Sequence, residues 1–319
     1  MKVKYLIKGF FKSIPGIEYI YNFHPNTGGT NNARYCYSVW LRHLIMAYEN
    51  GMNSIPERIA ELGPGDSLGI GLSGLISGAE EYYALDIVKY CDVESNLKIF
   101  DELVLLFKNK SPVPAETEFP NIKPALKSCD FPAHIFRDEY LKKVLDENRL
   151  KRIRDSIKMI DMPEIPGNST MITYKVPWND EKVIESGFID MIISQAVLQH
   201  IDGLASTYEC MYKWLRKGGL MSHGIDLKCM GSSDSWDGHW FYSDLQWKIV
   251  RGRKSYLINR EPYSTHIRLL KDNNFNILCV MKSISASSVI KRNDLAPKFR
   301  DMPEEDLTIS GAFIQAVKR

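Results

Sequence analysis

Residues 58–86 read Arg58-IAELGPGDSLGIGLSGLISGAEEYYAL-Asp86, and this stretch decides the fold. Arg58-Ile-Ala-Glu-Leu62 is short and apolar, and Gly63-Pro64-Gly65 follows at once. The run therefore reads as a buried strand that ends in a tight turn. Further glycines stand at 69, 71, 74 and 78. A second apolar run, Tyr82-Tyr-Ala-Leu-Asp86, then ends on a carboxylate. Strand, glycine turn, helix, strand and acid is the order of a nucleoside-binding βαβ unit. In such a unit glycine lets the backbone approach a ligand, and the acid accepts hydrogen bonds from ribose hydroxyls. Asp86 lies 21 residues beyond Gly65, near the spacing of roughly 20 that such a unit uses.

The details separate two ligands. A dinucleotide fold uses G-x-G-x-x-G to seat a pyrophosphate on a helix N-terminus. Here Gly65 is followed by Asp66, Ser67 and Leu68, so the third glycine, Gly69, comes one place late. Glu61 and Asp66 flank the turn and would repel a pyrophosphate. Carboxylates suit a ligand carrying an ammonium and a sulfonium. E-L-G-P-G-D resembles motif I of the class I S-adenosylmethionine (SAM)-dependent methyltransferases, and Ala84-Leu-Asp86 resembles their ribose-binding motif II. An ordinary α/β sheet with a glycine turn is the plainer alternative.

A second stretch points the same way. Gly187 to Ser194 is almost wholly apolar, as a strand covered on both faces must be. The run F-I-D-M-I-I-S-Q-A-V-L-Q-H-I from Phe188 to Ile201 resembles motif IV of the same superfamily. Arg216-Lys-Gly-Gly219 resembles the family's L-K-P-G-G turn, without its proline. Other strands are expected at 169–174, 220–227, 275–281 and 311–317. The expected fold is α/β, a Rossmann-like, doubly wound sheet of seven strands. The resemblance implies that the last strand is reversed.

The chain has 319 residues, 44% hydrophobic and 25% charged, with a net charge of +2. That composition fits a globular protein and gives no electrostatic case for nucleic acid. Six scattered cysteines without a C-x-x-C pair fit reduced thiols, hence a cytoplasmic location. No apolar run reaches the roughly 18 residues of a membrane span.

Residues 1–52 are expected to form an N-terminal helical segment, with 53–319 as the SAM-binding domain. Met1 to Pro15 carries four lysines among apolar residues. One reading is an amphipathic helix in peripheral contact with the inner face of a membrane. The other, which we favour, is a helix packed on the domain with its lysines in water. A second helix is expected from Ala33 to about Asn50, capped by Asn31 or Asn32 and placed to close over the cofactor. Its Arg34 and His43 are candidate acceptor contacts. Residues 110–132 hold five prolines, and 137–159 read as one amphipathic helix. The segment 101–168 is therefore expected to be an inserted, helical and proline-rich cap on the acceptor side.

The cofactor candidates are Glu61, Gly63, Gly65 and Asp86, joined by Ser194 and Gln195 after the fourth strand. Methyl transfer to a hydroxyl calls for a base, and histidine suits neutral pH. His223 is the first candidate, with His200 next. Asp226 lies on the same strand as His223, three residues on, and so on its opposite face. His239 and Trp240 stand in an aromatic loop suited to stacking on a sugar. His223, Asp226, Asp234, Asp237 and His239 hold metal-ligating atoms, but no spacing compels a site and no metal is expected.

N-x-G-G-T-x-x-A-R-Y-C-Y-S-V-W-L-R-H-L, S-H-x-I-D-L and L-A-P-K-F-R-D-M-P-E-E-D-L resemble methyltransferases of bacterial surface-polysaccharide gene clusters, over nearly the whole chain. Relatives there carry an acid–histidine pair after I-D-L-K. Cys229-Met230 stands in its place, so no role of that pair transfers. The resemblance implies a sugar, nucleotide-sugar or glycan acceptor. Two other functions compete. A nicotinamide-dependent sugar oxidoreductase or epimerase is opposed by the displaced glycine and by the lack of Tyr-x-x-x-Lys. A non-catalytic SAM-binding assembly subunit would bind without turnover.

Overall fold

The computed structural model describes residues 4–7, 9, 28–162, 170–178, 180–252, 257–285 and 291–319. Seven strands form one sheet: β1 (Arg58–Leu62), β2 (Glu81–Leu85), β3 (Ile172–Lys175), β4 (Ile189–Gln195), β5 (Leu215–Asp226), β6 (Phe275–Ile284) and β7 (Ile309–Lys318). Their order is β3-β2-β1-β4-β5-β7-β6. All pairings are parallel except those of β7, which runs antiparallel to β5 and β6. The sheet is the expected Rossmann-like one, including the reversed last strand. Its order turns back between β1 and β4, and that reversal opens a crevice beyond their carboxyl ends.

Helices cover both faces, because a parallel sheet must bury both. One face carries α1 (Ala33–Glu49), α2 (Gly69–Ser77) and α3 (Val93–Lys108), with α4 (Asp138–Val144) and α5 (Glu147–Lys158) outside them. The other face carries α6 (Leu204–Trp214) and α8 (Tyr263–Asp272). A short α7 (Asp244–Arg251), closed by a Ser243–Gln246 capping box, lies between them in sequence and was not foreseen.

Asn32 caps α1 by accepting from Tyr35 N–H. Tyr37, Trp40, Leu41 and Leu44 then share one core with Ile59, Leu72, Ile99 and Met191. The expected division at residue 52 therefore cuts through a continuous core. The inserted segment is fastened to that layer too. The Arg42 guanidinium is fully buried and donates to the carbonyls of Pro114, at 2.8 Å, and Pro124, and to Glu116 at 3.2 Å. Arg34 grips Glu118 with two bonds of 2.7 Å.

Two elements differ from expectation. The helix expected over 137–159 breaks at Leu145, because Asp146 turns its carboxylate onto the N–H groups of Asn148 and Arg149 and starts α5. Arg216-Lys-Gly-Gly219 does not close α6. It bulges out within β5, whose pairing jumps from Ile189↔Leu215 to Met191↔Leu220.

Of the basic N-terminal stretch, residues 4–7 and 9 are described, and 4–7 are helical. Tyr5 and Leu6 pack against a small core of Tyr242, Trp247 and Val250, and Tyr5 donates to Asp234 at 2.7 Å. Lys4 is exposed. No described helix is long and apolar enough to cross a membrane. All six cysteines are free.

Candidate functional site

A cleft of about 970 Å³ opens at the carboxyl ends of β1, β2 and β4. Gly63 and Gly65 turn the chain out of β1 with φ of +65° and +76°, a left-handed conformation that glycine adopts without strain. The turn is tied across to β2 by Gly63 N–H on the Leu85 carbonyl, 2.8 Å. A Cβ at Gly63 would stand 2.7 Å from Val197 Cγ2, so the bend also needs glycine for space.

Asp86 continues β2 into the cleft. Its carboxylate accepts from Ile87 N–H at 2.7 Å and Gly65 N–H at 3.3 Å. Burial raises its pKa above the ordinary aspartate value, and those backbone donors offset part of the rise. Glu181 and Asp202, further along the wall, are answered by Lys213 and by a two-bond Arg251 grip. Among the described residues Asp86 has no such cation, and no lysine or arginine stands on the cleft wall. A ligand with hydroxyls or positive charge fits this wall better than a phosphate.

Beyond the glycine turn, the N-terminus of α2 is capped from within. Leu68 N–H donates to Asn96 Oδ1 at 2.7 Å, Gly69 N–H to Ser67 Oγ at 3.1 Å, and Gly71 N–H to Glu61 Oε2 at 3.2 Å. Those are the donors that a dinucleotide fold turns toward pyrophosphate. Glu61 is fully buried, also accepts from Tyr82 Oη at 2.6 Å, and does not reach the cleft wall. Burial pushes its pKa up to about 8. The loop before α1 closes this corner, with Thr30 bonding Ser67 through its hydroxyl and its carbonyl.

The loop after β4 forms the facing wall. Gln195, Ala196, Val197 and His200 all line the cleft. Ala196 holds φ +56°, while its N–H donates to the Gly224 carbonyl at 2.8 Å. A non-glycine residue held in that region marks local strain, which concentrates at functional sites. The Gln195 carbonyl oxygen lies 3.3 Å from His43 Nε2.

The candidates therefore separate. Gly63, Gly65, Asp86, Gln195 and His200 meet at one cleft. His43 is buried one bond behind Gln195. His223, expected as the base, does not line the cleft. Strand alternation turns it to the face of β5 opposite Ser222 and Gly224, where its Nδ1 meets Ser194 Oγ at 2.7 Å. It is fully buried, and burial lowers its pKa to about 3. Ser194 is therefore withdrawn from the wall as well. Asp226 accepts from Lys228 N–H at 3.0 Å, away from the wall.

Arg34 is engaged by Glu118, and none of the described residues of 101–168 lines the cleft. His239 and Trp240 are core residues. Trp240 donates to the Arg260 carbonyl at 2.9 Å and packs on Leu295 and Phe299. The loop's aromatic residues fold inward because they cover a small satellite core. Among the described residues no three His, Cys, Asp or Glu side chains converge as a metal site requires.

Wall residues outside the candidate set include Thr30, Tyr35, Ile87 and Trp178. The N-x-G-G-T loop and the position directly after Asp86 were the available signals. Trp178 had none in its local sequence. It reaches the site because its N–H bonds the Asp86 carbonyl at 2.9 Å.

No family model matches the chain, and no curated protein matches it in sequence. Solved structures resemble it in outline. One is a SAM-dependent methyltransferase from Mesorhizobium loti, 14% identical over 86% of this chain and 96% of that one, TM-score 0.41. Another, from Methanosarcina mazei and also SAM-dependent, is 11% identical over 85% and 96%, TM-score 0.42. A third, phosphoethanolamine N-methyltransferase 2 from Haemonchus contortus with SAM bound, is 14% identical over 98% of this chain and 57% of that one, TM-score 0.42. Similarity this low says nothing of chemistry or substrate.

Proposed function

We propose that the chain is a SAM-dependent methyltransferase that methylates a hydroxyl oxygen of a sugar or glycan. The observation that carries this reading is the combination of a ribose-type carboxylate, Asp86, with an α2 N-terminus already capped by Asn96, Ser67 and Glu61. A nicotinamide dinucleotide needs that N-terminus open for its pyrophosphate. A nucleoside joined to a sulfonium does not. The carboxylate-rich wall also favours a cationic cofactor and an acceptor without phosphate, hence a free or glycan-terminal sugar over a nucleotide sugar. The sugar assignment draws on the resemblance to polysaccharide-cluster methyltransferases and on aromatic wall faces such as Tyr35 and Tyr90.

In this mechanism Gly63 and Gly65 let the backbone approach the cofactor and Asp86 takes the ribose hydroxyls. His200 replaces His223 as the base, since among the described histidines it alone lines the cleft. SAM bound there would supply a methyl group on a sulfonium leaving group, which would keep the electron pair, and His200 would receive the proton that the acceptor hydroxyl loses as its oxygen takes that methyl. Holding the two reactants in line is the larger contribution, about 7–11 kcal/mol. The base adds roughly 10²–10⁴-fold.

Titration calorimetry with SAM and with NAD tests the cofactor. Mass spectrometry then tests transfer, seeking a SAM-dependent gain of one CH2 across free sugars, short glycans and nucleotide sugars. NAD binding without SAM binding refutes the reading. SAM binding with no transfer to any acceptor favours the non-catalytic subunit.

A further inference from the structure

A chain of polar groups, buried at its centre, runs from the far end of α1 to the cleft, through three strands. Asn50 Nδ2 donates to the Met46 carbonyl at 2.8 Å and to Gln315 Oε1 at 3.0 Å. Gln315 Nε2 donates to the His43 carbonyl at 3.0 Å and to Ser222 Oγ at 2.9 Å. Ser222 Oγ lies 2.6 Å from His43 Nδ1, and His43 Nε2 lies 3.3 Å from Gln195 Oε1. Gln315, Ser222 and His43 are fully buried.

Two backbone carbonyls fix the direction of the bonds that Asn50 and Gln315 make. A carbonyl only accepts, so the Asn50 and Gln315 groups facing Met46 and His43 must be NH2. Ser222 Oγ then accepts from Gln315 and has its own proton left for His43 Nδ1. Given to Nδ1, that proton leaves the neutral His43 ring its own proton on Nε2, facing the Gln195 side-chain oxygen. Burial lowers the His43 pKa to about 4, so the ring is neutral near pH 7 and has one proton to place. Gln195 lies flat on Gly224, where a Cβ would collide with its amide oxygen. With its oxygen held by His43, the amide has its NH2 left for the cleft that Gln195 lines.

We propose that Asn50, Gln315, Ser222 and His43 act as positioning residues that lock the Gln195 amide with its NH2 toward the cleft, so that Gln195 selects a ligand oxygen lone pair there. This rests on the reading of the cleft as a methyl-transfer site. The oxygen belongs to the methionine carboxylate of SAM or to the acceptor. His43, expected to touch the acceptor, thus acts through Gln195.

Two measurements test the proposal. Nitrogen NMR of ¹⁵N-histidine-labelled protein without ligand, assigned with His43→Gln, should show His43 as the Nε2–H tautomer. A Nδ1–H tautomer overturns the lock, whatever the cofactor proves to be. Gln195→Glu replaces the donor by an oxygen, and Ser222→Ala frees the tautomer. Each should weaken one ligand parameter roughly tenfold, the scale of one lost buried hydrogen bond. A loss in the SAM dissociation constant assigns the oxygen to the cofactor. A loss in kcat/KM for the acceptor, with SAM affinity kept, assigns it to the acceptor. If Gln195→Glu changes neither, the selective role of Gln195 is refuted. Failure of the wild-type protein to bind SAM instead refutes the methyl-transfer reading, and the tautomer measurement still judges the lock.

Discussion

Replacing Asp86 by alanine removes a cleft carboxylate that no cation answers among the described residues, and its effect on cofactor affinity can be worked out. Two ribose hydroxyls would donate to an ionised acceptor, each such bond contributing about 1.5–3 kcal/mol. The lower figure for both gives a loss of about 3 kcal/mol, roughly 100-fold in Kd. Asp86→Asn keeps an oxygen for Ile87 N–H, now 2.7 Å away, and loses the charge, so roughly tenfold is expected. Stability should not fall in step. Because burial raises the folded-state pKa of Asp86, its charged form is held at a cost to the fold above that pKa. Both variants should therefore keep or raise their melting temperature near pH 7. Affinity of the wild-type protein should decline as pH falls through a value above the ordinary aspartate range. Calorimetric titration with SAM and its demethylated product measures all of this. Asp86→Ala binding within twofold of wild type, in a folded protein, would refute the assignment.

Glu61 gives a linkage prediction. Its folded pKa of about 8 exceeds the ordinary 4.5, so the folded state holds a proton that the unfolded state has lost. The stability it contributes is complete below about pH 4.5 and is lost as pH rises toward 8. Glu61→Gln should flatten that slope in urea titrations at several pH values; an unchanged slope would remove Glu61 as its source. His200→Ala should lower kcat by about 10²–10⁴-fold with SAM affinity kept, read by single-turnover transfer. His223→Ala should lower the melting temperature through its lost bond to Ser194, about 1–3 kcal/mol, and leave kcat within a few fold. A reversal of those two outcomes would return the base role to His223. Arg42→Met leaves the Pro124 carbonyl without its buried donor and the Pro114 carbonyl with Ser38 Oγ alone. It should cost about 1–3 kcal/mol in urea unfolding, the penalty of an orphaned buried acceptor, and cleavage within 110–135 at wild-type rate would show that Arg42 does not fasten the insertion.

Much of the fold was legible because its signals are local. The bend at Gly63 and Gly65 needs positive φ, and the apolar runs around it have strand length. Asp86 stands at a strand tip that follows from counting. Helix α1 announced itself by spacing and by its cap at Asn32. The break at Asp146 was present in the sequence too, as a capping carboxylate inside a run whose apolar spacing read as unbroken.

What the amino-acid order alone determined was the βαβ unit with its glycine bend and terminal carboxylate, since each depends on neighbours a few residues apart. Which side chains meet at the cleft was a tertiary matter. His223 and Ser222 are adjacent in the chain, yet one turns toward Ser194 and the other toward His43, because strand pairing assigns alternate residues to opposite faces. Glu61 became an internal cap, and not a cleft contact, through the placement of α2 over β1. The lock on Gln195 draws on α1, β5 and β7, segments far apart in sequence that only packing brings within hydrogen-bond reach.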